Sequence, residues 1–197
     1  MAENRGNPYH DSKTGRFTSG PGGAKSSVSL PKRRPGRTAF PKSAPSKSSV
    51  VSATKDLLVS QEGYKKRVYI DSEGFPTVGI GHKLPNRYKE LEGRAPFTEK
   101  ELNRFFELDS ASAYDNAKDN IPGFSRMPVS LQAALVSQAF QLGKTGQRKF
   151  KNMIDAIEAG DWREAAEQAL DSNWAKQTPK RARHLANELL KIRDGEK

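Results

Sequence analysis

The chain has 197 residues and a formal net charge of +11, enough length for one good-sized domain or for a domain plus a tail. It contains no cysteine, so it can build neither a disulfide framework nor a thiolate metal site, which fits a reducing compartment, and His10, His82 and His184 are too widely spaced for a structural zinc. No apolar run approaches the ~20 residues that span a bilayer, and the N-terminus lacks the apolar stretch of a secretory signal.

Residues 1–50 read as a disordered basic tail or linker: Pro, Gly and Ser recur, large apolar residues are few and no period emerges. Ten Lys/Arg against two acids give this segment a net +8, leaving +3 for residues 51–197, which read as the folded domain. The cluster Lys32-Arg33-Arg34 with Arg37 suits phosphates, in nucleic acid or in an anionic envelope polymer. It has no interleaved aromatics for stacking on single-stranded bases, and a solvated linker is the plainer reading.

Residues 53–62 read as a short helix with Leu57 and Leu58 apolar, ended by Gly63. Residues 68–71 and 77–80 read as strands, and Ser72-Glu73-Gly74 between them predicts a hairpin. Thr98 and Glu101 form a capping box opening a helix that carries Leu102, Phe105, Phe106 and Leu108 and ends before Pro122-Gly123. A helix from Pro128 puts Leu131, Leu135 and Leu142 on one face, with Gly143 as terminator. Residues 150–159 form the next helix, stopped by Gly160. Asp161 then caps one through Trp162, Ala165, Ala166, Ala169 and Leu170. Thr178-Pro179 opens the last, a cap followed by proline at the first helical position, with Ala182, Leu185, Leu189 and Ile192 apolar. The predicted class is α+β: a small β-hairpin lobe plus a mainly helical lobe, with a ligand cleft between them.

The chemistry concentrates between residues 62 and 82. Glu62 stands before a glycine at a helix end, Asp71 follows on the hairpin, and Thr77 lies on the second strand. Two carboxylates in different local settings can hold different protonation states, as acid–base cleavage of a glycosidic bond requires. Each residue also has a plain structural reading: a solvated helix-end acid, a turn-initiating aspartate, a β-branched strand residue. His82 reads as a strand-end histidine paired with a nearby acid, and Gly79 and Gly81 as residues that permit a bend.

The string Glu62-Gly63, Tyr69, Asp71, Gly74, Thr77 and Gly79-Ile80-Gly81-His82 resembles the phage-type lysozymes, the T-even-type endolysins. Ala139-Phe140-Gln141-Leu142-Gly143 with Thr145-Gly146, Asp161-Trp162 with Glu164-Ala165-Ala166, and Trp174 with Gln177-Thr178-Pro179 and Arg181-Ala182 are similar to further segments of that family, in the family's order. The resemblance covers residues 53–190. It implies cleavage of the β-1,4 bond between N-acetylmuramic acid and N-acetylglucosamine in peptidoglycan, with inversion and without metal or cofactor. It gives Glu62 the role of general acid, Asp71 that of base or electrostatic partner, and Thr77 a place beside the attacking water. An inverting pair stands about 6.5–9.5 Å apart. The resemblance also places Phe140 and Gln141 on the sugar cleft and Arg181 beside Glu62. Lys83, Met153 and Gln168 depart from the family pattern at cleft positions.

Such an enzyme is expected as a monomer in the host cytoplasm that reaches the wall once a holin opens the inner membrane. The segment from Tyr9 to Ser19 is similar to short stretches of virion proteins, so a particle-borne lysozyme, its tail attached to virion components or nucleic acid, is the alternative expectation.

Overall fold

The computed structural model describes residues 40–71, 74–84 and 96–195, with the Glu62 side chain left aside. The basic cluster at 32–37, the segment from Tyr9 to Ser19 and the turn residues Ser72 and Glu73 lie outside the described residues.

The first helix, α1 (Lys47–Glu62), begins six residues ahead of the predicted start at residue 53. Ser46 caps it, its hydroxyl oxygen accepting the Ser49 N–H at 3.1 Å. Val50 and Thr54 are fully buried on its inner face. Upstream of the helix, Phe40 meets Trp162 edge to face at 6.0 Å, so the folded unit takes in residues that composition assigns to the tail.

Three antiparallel strands follow in the order β1 (Lys65–Ile70), β2 (Pro76–Gly79) and β3 (His82–Lys83). The sequence reading contains only the first two. The register pairs Tyr69 with Thr77 and Ile70 with Pro76, then Thr77 with Lys83 and Val78 with His82. Gly79 and Gly81 hold φ of 66° and 85°, left-handed backbone that a side chain would strain, and so let β2 reverse into β3 within two residues.

The capping box forms as predicted at the start of α2 (Glu99–Asn120): Thr98 Oγ1 accepts from Glu101 N at 3.3 Å and Glu101 Oε2 from Thr98 N at 2.8 Å. Leu102 and Phe106 are buried, but Leu108 is 62 % exposed and belongs to the solvent face. A 3-10 turn (Phe124–Arg126) leads to α3 (Val129–Arg148). Gly143 breaks α3, with φ 66° and ψ 177°, but a further helical turn follows it. Among the described residues, the helices that follow are α4 (Lys151–Ala159), α5 (Trp162–Leu170), the short unpredicted α6 (Asn173–Gln177) and α7 (Pro179–Asp194). Thr178 precedes α7 but does not cap it; its hydroxyl donates to Trp174 O at 3.0 Å instead.

The main core lies among the helices, around Leu131, Leu135, Met153, Leu185 and Leu189. Val78, Leu84, Phe97 and Leu102 form a second cluster under the sheet, and Leu58, Ile80 and Phe106 a third that joins α1, the sheet and α2. The third cluster fixes the C-terminal end of α1 against the strands. A wholly buried amide chain holds α3 internally: Gln147 Nε2 donates to Leu135 O at 3.0 Å and to Gln138 Oε1 at 3.2 Å, and Gln147 Oε1 accepts from Asn120 of α2 at 3.1 Å.

Candidate active site

Glu62 is the last residue of α1, and its carboxylate lies outside the described atoms. Gly63 follows with φ 76° and ψ −176°, turning the chain from the helix towards β1 while its N–H still donates to Val59 O at 3.1 Å. A clamp fixes where β1 starts: Tyr64 Oη donates to Glu99 Oε2 at 2.6 Å, Lys66 Nζ lies 2.6 Å from Glu99 Oε1, and Phe97 N donates to Lys66 O at 2.9 Å. Hydrogen bonds from Lys66 and Tyr64 hold the Glu99 carboxyl below its ordinary range. Burial, and then the bond to Glu99 and its charge, push the Tyr64 phenol up to about 12.

Asp71 stands where β1 ends. Its N–H donates to Phe75 O at 2.9 Å and its Oδ1 accepts from Phe75 N at 2.8 Å, while its carbonyl accepts from Gly74 N at 3.1 Å. One carboxylate oxygen therefore builds the turn, as the plain reading of an aspartate here requires. The other, Oδ2, lies 3.6 Å from Lys83 Nζ on β3. Thr77, 2 % exposed on β2, donates its hydroxyl to the same Phe75 carbonyl at 3.0 Å. With its hydrogen committed there, Oγ1 can meet a water only as an acceptor.

Behind the strands, a hollow of about 310 Å³ lies between the sheet end and helices α2 and α3, lined among others by His82, Lys83, Asp109, Phe140 and Gly143. His82 Nδ1 is 2.7 Å from Asp109 Oδ2, and its ring stacks on Phe105 at 4.3 Å, so α2 holds the histidine from two successive turns of one face. Phe140 packs on Phe106 at 6.1 Å and touches two of the core clusters as well as the hollow. A larger hollow, about 630 Å³, opens among the C-terminal helices and is lined in part by Leu142, Phe150, Met153, Gln168 and Trp174. Both hollows meet α3 within residues 139–146.

Gln141 Oε1 accepts the Trp174 indole N–H at 2.8 Å and the Arg181 Nη1 at 3.1 Å. Those two donors orient the amide, leaving Nε2 as the group Gln141 offers outward. Arg181, expected beside Glu62, is buried at 7 % exposure with this bond to Gln141; the expected pair falls on an atom set outside the described residues. Met153 is 1 % exposed, and Gln168 accepts from Asn152 at 3.2 Å and donates to Glu164 at 3.0 Å.

The family model described as "Phage lysozyme" matches residues 59–191. This chain belongs to the phage lysozyme family. As a lysozyme it is a glycoside hydrolase acting on peptidoglycan. It is 32 % identical over 157 residues to the probable T4-type lysozyme 2 of Dictyostelium discoideum, covering 69 % of this chain and 92 % of that protein. The probable T4-type lysozyme 1 of the same organism is 30 % identical over 158 residues, again covering 69 % and 92 %. The pre-baseplate central spike protein Gp5 of Enterobacteria phage T4 is 34 % identical over 155 residues, 68 % of this chain but only 27 % of that longer protein. Within this lysozyme, Asp109 and Trp174 are partners that the sequence reading misses. Asp109 sits four residues after Phe105, a spacing that puts both on one helix face; nothing local marks Trp174 as the donor to Gln141.

Proposed function

We propose that the chain is an inverting muramidase. Glu62 gives its proton to the glycosidic oxygen as the C1–O bond breaks. A water attacks C1 from the opposite face of the muramic acid ring and loses a proton to Asp71. The products are a free hydroxyl on the leaving sugar and an inverted reducing end, after which solvent exchange returns Glu62 and Asp71 to their starting states. The observation that supports this reading best is the Phe75 carbonyl held jointly by Asp71 N–H and the Thr77 hydroxyl. A water that donates one hydrogen to Asp71 and the other to Thr77 Oγ1 keeps a lone pair for the anomeric carbon, and Thr77 bonded to Phe75 has only acceptor capacity to give it. Phe140 supplies an apolar wall to the cleft, and Gln141 Nε2 donates to a carbonyl or hydroxyl of the glycan. His82 and Arg181 support the site through Asp109 and Gln141. The test is clearing of outer-membrane-stripped cells: Glu62→Gln should abolish it. Equal clearing by wild type and variant would remove Glu62 from the acid role.

The chain serves a phage or prophage in host lysis, reaching the wall through a holin-opened membrane, with the basic tail as a solubilising linker. A specific observation favours a second reading. The Gp5 relative is by name a central spike protein, and a basic tail precedes the lysozyme domain here. On that reading the chain is carried in the virion and opens the wall locally during genome delivery, with the tail bound to the particle or to nucleic acid. Mass spectrometry of purified particles separates the two: its presence at constant stoichiometry supports virion carriage, and its absence supports lysis alone.

A further inference from the structure

Lys83 occupies the β3 position directly across from Thr77, and its ammonium lies 3.6 Å from Asp71 Oδ2 and 4.5 Å from the centre of the Phe75 ring. It is half exposed, whereas the Asp71 side chain is only 18 % exposed. A half-exposed lysine ordinarily samples many rotamers, but here an aromatic face and a carboxylate fix it from two sides. The three residues it touches or faces (Asp71, Phe75, Thr77) are those that build the water-side half of the site. Oδ1 is bound to Phe75 N, and the cation addresses the other oxygen, Oδ2.

We propose that Lys83 is a positioning residue for Asp71, holding Oδ2 in its ionised, base-competent state and so setting the acid edge of the pH range in which the enzyme works. This rests on the assignment of Asp71 to the base side of the reaction. A cation this close favours the charged form of a carboxylate. Among the described residues, the charged groups that follow on the elements beside Lys83 are the His82–Asp109 pair linking β3 to α2. A carboxylate near a second one costs more to ionise, and a fixed cation such as Lys83 offsets that cost. The same charge opposes the positive character that develops at C1, so the gain at low pH comes with some loss of electrostatic help in the transition state.

The test is the pH dependence of kcat/KM on solubilised, uncrosslinked peptidoglycan for wild type, Lys83→Met and Lys83→Arg, with the Asp71 carboxyl carbon titrated by NMR in each. For Lys83→Met the acid limb and the Asp71 titration should both move up by about half a pH unit, a roughly threefold loss of kcat/KM on that limb, as expected for a partly screened pair. Lys83→Arg should retain the wild-type limb, and added salt should move wild type towards Lys83→Met. Superimposable limbs and titrations in wild type and Lys83→Met would overturn the proposal. A wild type that releases no saccharide at any pH would overturn the muramidase assignment, while the NMR titration would still decide whether Lys83 controls Asp71.

Discussion

Asp71 and Thr77 are joined through a single atom: the carbonyl oxygen of Phe75 accepts the Asp71 N–H at 2.9 Å and the Thr77 hydroxyl at 3.0 Å. The link makes the hairpin more than a scaffold. It ties the Asp71 backbone to the Thr77 hydroxyl through two short bonds to a common acceptor, and it leaves Thr77 only acceptor capacity towards a water. Thr77→Val keeps the shape of a buried β-branched side chain and removes only the hydroxyl. It should lower kcat on the order of 10²-fold or more, with a melting temperature close to wild type because Phe75 O keeps its Asp71 partner. Thr77→Ser should retain most activity. Steady-state kinetics on soluble peptidoglycan measure both; a fully active Thr77→Val would remove the water-holding role.

The proposed role of Gln141 in substrate binding can be tested apart from folding. Gln141→Glu preserves an acceptor for Trp174 and Arg181 but replaces the outward amide nitrogen with a second acceptor. KM should rise about tenfold, roughly 1.4 kcal/mol, with a smaller change in kcat, and thermal denaturation should show the fold intact. An unchanged KM would place Gln141 outside the substrate contacts.

Tyr64 gives a pH signature. Its folded-state pKa is raised from 10.0 to about 12, so the folded protein holds the phenol proton more tightly than the unfolded chain does. The resulting stabilisation is complete below the unfolded value near 10 and is lost as pH rises towards 12. Melting temperatures of wild type and Tyr64→Phe should therefore differ below pH 10 and converge between 10 and 12. A gap that stays constant across that window would contradict the raised phenol pKa, which burial causes first and the bond to Glu99 second.

Much of the candidate site can be nominated from the sequence because its parts are local. Glu62, Asp71 and Thr77 fall within sixteen residues, and the glycines between and after them mark the turns that the strands need. What is hidden depends on tertiary contacts. The start of α1 at Lys47 sits in a run of serines that looks like linker. It becomes helical because Ser46 caps it and Val50 and Thr54 find burial in the domain. Strand β3 is two residues long and carries no periodic signal of its own, so the pairing of Thr77 with Lys83, and with it the ion pair to Asp71, cannot be read in advance. The Trp174–Gln141 bond spans thirty-three positions and joins two helices, one of them only five residues long. Leu108 misleads in the other direction, an apolar residue on the solvent face of α2.

Gln147 tests the buried amide chain. Gln147→Leu removes partners from Leu135 O, Gln138 Oε1 and Asn120 Nδ2 at once. It should destabilise the fold by about 1–3 kcal/mol in urea unfolding. A cost near zero would mean that the chain of amides adds nothing beyond packing.

The central claim, that this lysozyme cuts on the muramic acid side by hydrolysis, is met most directly by analysing the new ends in digested peptidoglycan. After borohydride reduction and acid hydrolysis, wild-type digests should yield muramicitol. Glucosaminitol would contradict the bond assignment, and a 1,6-anhydromuramic end, which borohydride cannot reduce, would contradict attack by water held between Asp71 and Thr77.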